Sequence, residues 1–137
     1  MDFILEIFKY LGKLHPVVLH LPIGALIMTF VLLLIAKFQK IDLDSAIRIG
    51  VDFSFIGALI AALLGYFLSL DDDYDFNNLS FHFWSGIVTL ILSFALSVLH
   101  RAKGKENIFF ACFVLTLISL TITGHKGGVI THGEDYL

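Results

Sequence analysis

The chain has 137 residues, 58% of them hydrophobic, and a mean hydropathy of +0.90. The core of one soluble domain cannot bury that much apolar surface, so we expect a single-domain integral membrane protein with the lipid bilayer as its first partner. The net charge of −3 argues against the basic surface of a nucleic-acid-binding protein. A single cysteine, Cys112, excludes a disulfide framework.

The N-terminal residues predict a short amphipathic helix that lies in the membrane interface. Its apolar side chains repeat at helical spacing among charged ones, and they are Phe3, Ile4, Ile7, Phe8 and Leu11.

Four stretches without Asp, Glu, Lys or Arg follow, and each predicts a transmembrane helix. They cover residues 17–36, 53–70, 79–99 and 108–124, each within the range of about 17–25 residues that crosses the hydrocarbon layer. With their polar boundaries we expect spans at about 15–37, 49–70, 79–100 and 107–125. The connections are short, so consecutive helices should be antiparallel neighbours in an all-α, four-helix up-down bundle.

The basic residues predict the orientation of this bundle. Most of them fall in the first and third connections, namely Lys37, Lys40, Arg48, Arg101, Lys103 and Lys105. Basic loops stay on the cytoplasmic side. We therefore expect a bacterial inner-membrane protein with both termini, and the acidic loop 71–75, in the periplasm.

Histidines gather at the outer ends of the predicted spans. Five of the six belong to this outer layer, and they are His15, His20, His82, His125 and His132. Intramembrane ionisable residues are functional by default, so the layer predicts a binding site drawn from three helices.

Capping residues set the expected depth of these side chains. Pro16 suits the first turn of a helix, which puts His20 about one turn deep. A cap at Asn78 or Ser80 puts His82 in the first turn of its span. We expect the fourth span to end at its glycines, as at helix C-caps, and these are Gly124, Gly127 and Gly128. The last histidine, His132, would then fold back onto the layer.

A second regularity favours a flat ligand. Two histidines are followed at i+4 by glycine, in the pairs His20–Gly24 and His82–Gly86. Each glycine lies on the face of its histidine, one turn deeper. A porphyrin held edge-on between helices needs an imidazole to bind its iron and a position without a side chain where the ring passes. Iron ligated by two imidazoles is typical of electron-transfer proteins. We expect b-type haem with His82 as one ligand and a second from the set His20, His125 and His132.

Two other interpretations stay open. The five outer histidines can bind copper or zinc, with Asp73 or Asp75 supplying a carboxylate, or they can serve a proton or quinone site. The layer can also be purely structural. No nucleophile–base arrangement stands out, so we expect a redox carrier or complex subunit rather than an enzyme.

Two features of the second span are interpreted as structural. Gly57, Ala61 and Gly65 lie on one helical face and predict close helix packing. Asp52 is interpreted as a solvated residue near the start of the helix.

The chain resembles a family of small bacterial membrane proteins classed as a domain of unknown function. The resemblance rests on Leu-His-Pro-Val-Val-Leu-His-Leu-Pro-Ile-Gly at residues 14–24, Gly-Tyr at 65–66, His82, and Gly-Gly-Val-Ile-Thr-His-Gly at 127–133. One branch is similar over almost the whole chain, including residues 124–128 and 131–137. Across other branches the resemblance implies that His82 and His132 are the more general pair.

In that branch the membrane module is often fused to a periplasmic c-type cytochrome domain. The resemblance therefore implies a redox setting, with such a cytochrome or a respiratory complex as partner. Because this chain ends at Leu137, we expect a stand-alone module that docks its partner through the outer face. The leading hypothesis is an electron-transfer module with b-type haem; the alternative is a membrane anchor or assembly protein with a copper or zinc site.

Overall fold

The computed structural model describes residues 2–70 and 76–133, and all regular structure within them is α-helical. The helices are α1 (Asp2–Gly12), α2 (His15–Val18), α3 (His20–Gln39), α4 (Asp44–Leu68), α5 (Phe76–His100) and α6 (Glu106–His132). The predicted all-α class and the N-terminal helix are confirmed. The acidic loop 71–75, with the suggested ligands Asp73 and Asp75, lies outside the described residues, as does the segment 134–137.

Four helical segments of the described chain are long and apolar enough to cross a membrane. They are Phe3–Gln39, Asp44–Leu68, Leu79–His100 and Glu106–His132. Large apolar side chains such as Phe53, Ile91 and Ile118 are more than half exposed, the reverse of a soluble protein. This surface suits lipid, and the multi-pass membrane architecture is confirmed.

Consecutive helices pack side by side, so α3 contacts α4, α4 contacts α5 and α5 contacts α6. The α3–α4 and α5–α6 connections share one end of the bundle, which we call the basic end. The opposite end, where α2 begins and α6 finishes, is called the histidine end. At the histidine end, α1 packs on α4, where the rings of Phe8 and Phe67 stack with centroids 4.7 Å apart.

The tightly packed core lies toward the basic end. Its most buried apolar members come from α4, α5 and α6, and they are Val51, Leu96 and Phe113. Glycines on α4 bring α3 close, because a Cβ at Gly50 or Gly57 would lie 3.0 Å from Thr29 or Pro22 side-chain carbons. The predicted close packing along this α4 face is therefore confirmed.

A proline separates α2 from α3. Pro22 has no N–H to donate to the carbonyl of Val18, so the helical ladder is interrupted there. Leu19 keeps helical backbone angles, φ −61° and ψ −24°, so the chain continues through it into α3. The interruption leaves His15 on its own short helix at the mouth of the bundle.

Two predicted helix boundaries are wrong. α5 starts at Phe76, so Asn78 and Ser80 lie inside the helix rather than capping it. α6 continues through its glycines and ends at His132, where Gly133 has φ 95°. A glycine inside a helix costs about 1 kcal/mol, whereas an unpaired backbone group in a bilayer costs several times that. His132 therefore lies on α6 itself and does not fold back.

An ion pair joins α4 to α5 near the basic end. Arg101 contacts the Asp52 carboxylate with Nη2 at 2.6 Å from Oδ2, and Ser97 donates to Oδ1 at 2.5 Å. The hydrogen bond to the Asp52 carboxylate raises the pKa of the Arg101 guanidinium. Asp52 is therefore an interhelical contact as well as a partly solvated residue, because the register of α4 against α5 places it opposite Ser97 while its side chain stays 31% exposed.

Candidate functional site: a histidine pair in a membrane cavity

His15, the first residue of α2, is held against α4 by one hydrogen bond and one missing side chain. Its Nδ1–H donates to the carbonyl oxygen of Ala61 at 2.7 Å. Its ring lies over Gly65, where an added Cβ would be 3.0 Å from the His15 Cε1 atom. The glycine therefore fixes how closely the imidazole approaches α4.

His82, in the second turn of α5, is held against α6 in the same way. Its Nδ1–H donates to the carbonyl oxygen of Thr123 at 3.0 Å. An added Cβ at Gly127 would lie 2.9 Å from the His82 Cε1 atom. In both halves of the bundle the glycine comes four residues after the accepting carbonyl, one turn along the same helix.

The two imidazoles lie close together between the two hairpins. Their ring centroids are 6.3 Å apart and the ring planes are nearly perpendicular, at 83°. His15 comes from the first hairpin and His82 from the second, so each hairpin contributes one ring.

The backbone hydrogen bonds decide which nitrogen of each ring can bind a ligand. A carbonyl oxygen only accepts, so in each neutral imidazole Nδ1 carries the hydrogen and Nε2 keeps its lone pair. Among the described residues, neither Nε2 atom has a hydrogen-bond partner. Metal-ligating histidines almost always donate their other N–H to a carbonyl or carboxylate in this manner.

The histidine pair lines a cavity of about 440 Å³ that occupies the half of the bundle toward the histidine end. This volume lies within the range of small-molecule sites, about 300–1,000 Å³. The cavity floor carries the hydroxyls of Ser54 and Ser93, which donate to Gly50 and Thr89 carbonyls at 2.7 and 2.8 Å. With these hydroxyls satisfied and the other walls mostly aliphatic, the cavity suits an apolar molecule.

The other predicted histidines lie nearer the surface. His20 is exposed, and its Nδ1–H donates back to the Pro16 carbonyl at 2.5 Å. His132 is exposed and lines the cavity, as His20 does. His125 is exposed and does not line it. Of the five histidines predicted to form the layer, the structure thus pairs His15 with His82.

The glycines next to the paired rings also differ from those expected. A Cβ at Gly24 would meet nothing within 4 Å, and one at Gly86 would make an ordinary contact of 3.8 Å. Gly65 and Gly127 lie against the rings instead. Local spacing could not identify them, because each lies on the helix opposite its histidine. The available signal was that both glycines occur in the motifs of the family resemblance.

Donor number limits what the pair can bind. Within the ranges 2–70 and 76–133, no three His, Cys, Asp or Glu side chains come together in a group that could hold a metal ion. The expected set of four or five histidine ligands is therefore not assembled there. The imidazoles of His15 and His82 remain as the two neighbouring ligands in this part of the chain.

The sequence was compared with known proteins. The family model described as "Predicted membrane protein (DUF2231)" matches residues 12–133. The chain belongs to this family. The match begins at Gly12 and ends at Gly133, so the DUF2231 unit contains both paired histidines with their carbonyls and glycines. No curated protein and no solved structure matches the chain.

Proposed function

We propose that this DUF2231 protein is a membrane-embedded electron-transfer module that holds b-type haem between His15 and His82. The observation that carries the proposal is the pair of adjacent imidazoles in one cavity, each fixed through Nδ1 to a backbone carbonyl. Both Nε2 lone pairs are thereby available to one ligand between the two hairpins.

The number of donors favours haem over a bare metal ion. Structural zinc takes four protein ligands, whereas haem iron already has four porphyrin nitrogens and needs only two axial ligands. His15 and His82, whose ring centroids lie 6.3 Å apart, would hold such a group between the two hairpins.

Bound haem would supply one-electron transfer. The protein's own groups would set its environment. The Ala61 and Thr123 carbonyls hold the ligand rings in one orientation and raise the basicity of Nε2. The apolar walls of the cavity exclude water, which tunes the potential of a bound iron.

The basic end is the cytoplasmic side in this proposal, because basic loops remain inside. The histidine end then faces the periplasm of a bacterial inner membrane, as do both termini. Electrons would be exchanged there with a periplasmic c-type cytochrome or a respiratory complex, the partners that the family resemblance suggests.

The test is a comparison of oxidised and dithionite-reduced absorption spectra, with iron, copper and zinc analysis on the same detergent-purified protein. We expect near-stoichiometric haem iron and a sharp reduced α-band. His15→Ala and His82→Ala should each lose that band while remaining folded by circular dichroism. His125→Ala is the matched control, since His125 is exposed and does not line the cavity.

The same experiment separates the alternatives. Haem retained in His15→Ala and lost in His20→Ala or His132→Ala would overturn the ligand assignment. A featureless visible spectrum from protein made with ample haem would overturn the haem proposal itself. Stoichiometric copper or zinc would then indicate an anchor or assembly protein, and no metal at all would indicate a structural histidine layer.

A further inference from the structure

The α3–α6 seam is packed differently at the two ends of the bundle. Toward the basic end, the Phe30 ring lies 5.3 and 6.1 Å from the rings of Phe113 and Phe110, measured between centroids. The ammonium of Lys37 lies 4.6 Å from the Phe110 centroid. These aromatic contacts hold the two helices together over that half.

Small and aliphatic residues replace the aromatic ones toward the histidine end. The antiparallel register set by Phe30 and Phe113 places Leu19 level with Gly124 and Ile23 level with Leu120. All four of these residues line the cavity. The cavity therefore reaches the seam from both helices.

Gly124 marks the point where the cavity meets the outside of the bundle. It lines the cavity and is itself exposed, and a Cβ added there would meet nothing within 4 Å. It lies two turns of α6 before the end of the helix at His132. That depth corresponds to the hydrocarbon side of the membrane interface rather than to bulk water.

We infer that the seam between α3 and α6 is a lateral portal through which a flat, membrane-dissolved ligand enters the cavity from the outer leaflet, with Gly124 as its threshold. The inference rests on the proposed function for the identity of that ligand. An opening bordered by Leu19, Ile23 and Leu120 offers apolar contact to a ring system, whereas a hydrated ion would lose its water there. The portal thus selects for ligands that partition into lipid.

The test is the rate of haem uptake by haem-free protein in vesicles whose lipid already contains haem. Gly124→Trp should fill the portal and slow both uptake and release by about tenfold or more. The test is read from the two rates rather than from the final occupancy, because a bulky side chain at a cavity-lining position also affects occupancy. Gly24→Trp is the matched control, since Gly24 is equally open but does not line the cavity. Equal rates in the two variants would overturn the portal.

A second measurement does not depend on haem. A nitroxide attached at Leu120→Cys, in a Cys112→Ser background, should collide with oxygen, which concentrates in hydrocarbon, more often than with a water-soluble nickel chelate. Gly124→Trp should reduce the oxygen collisions, and Gly24→Trp should not. A nitroxide shielded from both reagents would overturn the portal even if haem binds. If the wild-type protein takes up no haem but the oxygen result holds, the haem proposal fails and the lateral opening stands.

Discussion

At the residue scale, each paired imidazole lies where the opposite helix has no side chain. There is no room for a larger residue at these glycines, because a Cβ at Gly65 or Gly127 would come within 3.0 Å of a ring carbon of His15 or His82. Real Cβ atoms do not approach carbon that closely, so the ring would have to move. Its movement would stretch the hydrogen bond from Nδ1 to the carbonyl.

Gly127→Ala should therefore displace the His82 ring. Relative to Gly86→Ala, which gains the same helix propensity, we expect a loss of about 1 kcal/mol or more of stability as the bond to Thr123 lengthens, together with weaker haem retention. Thermal unfolding in detergent and the haem-to-protein ratio measure the two effects. Gly86→Ala is the control, since its Cβ would make an ordinary 3.8 Å contact. Equal behaviour of the two variants would contradict the packing argument.

At the scale of elements, α1 is docked on the end of α4 through Gly12. An added Cβ there would lie 2.7 Å from the Leu68 Cα and against its backbone nitrogen, atoms that cannot rotate away. Gly12→Ala should separate α1 from α4 and break the stacking of Phe8 on Phe67. Faster amide hydrogen exchange confined to α1 is the expected result. Gly24→Ala is the control, because open space surrounds Gly24. The exposed Gly104 is less suitable, because its positive φ would strain an alanine.

The contact between α4 and α5 also depends on one polar cluster. Arg101→Ala removes the partner of the Asp52 carboxylate, so the melting temperature should fall by a few degrees. The side chain is about half exposed, which limits the effect through solvent screening. Lys103→Ala, in the same connection but without a place in this cluster, should leave the melting temperature unchanged. A similar fall in both variants would point to a general charge effect.

At the scale of the whole molecule, the bundle is tight at its basic end and hollow at its histidine end. Most basic residues thus lie at the end opposite the cavity, and in the proposed orientation the site is reached from the periplasm. In a Cys112→Ser background, Lys103→Cys should react with a membrane-impermeant maleimide only after the cytoplasmic side is exposed. Lys13→Cys, at the histidine end, should react with the same maleimide in intact spheroplasts, whose periplasmic membrane face is accessible. The opposite pattern would invert the proposed orientation.

The helices and the membrane environment could be predicted from the sequence alone. Runs such as 53–70 and 79–99 lack charged residues, and the apolar residues around Phe8 repeat at helical spacing. Both signals are local in the sequence. In lipid, the backbone must form its hydrogen bonds within the helix, because water is absent. The same constraint explains the misplaced end of α6. Glycine usually stops a helix beside water, which can take over the released carbonyls, but this helix continues through Gly124 in a bilayer.

Which histidines meet depends on how the helices pack against each other. The expected pairs relied on i+4 spacing within one helix, which selected His20 and Gly24. In the structure, His15 instead donates a hydrogen bond to a carbonyl 46 positions away in the sequence, and His82 to one 41 positions away. Such partners are chosen by the antiparallel register of two helices, which depends on how Gly50, Gly57 and the core side chains interlock. That register is a property of packed surfaces, and no local spacing in the chain encodes it.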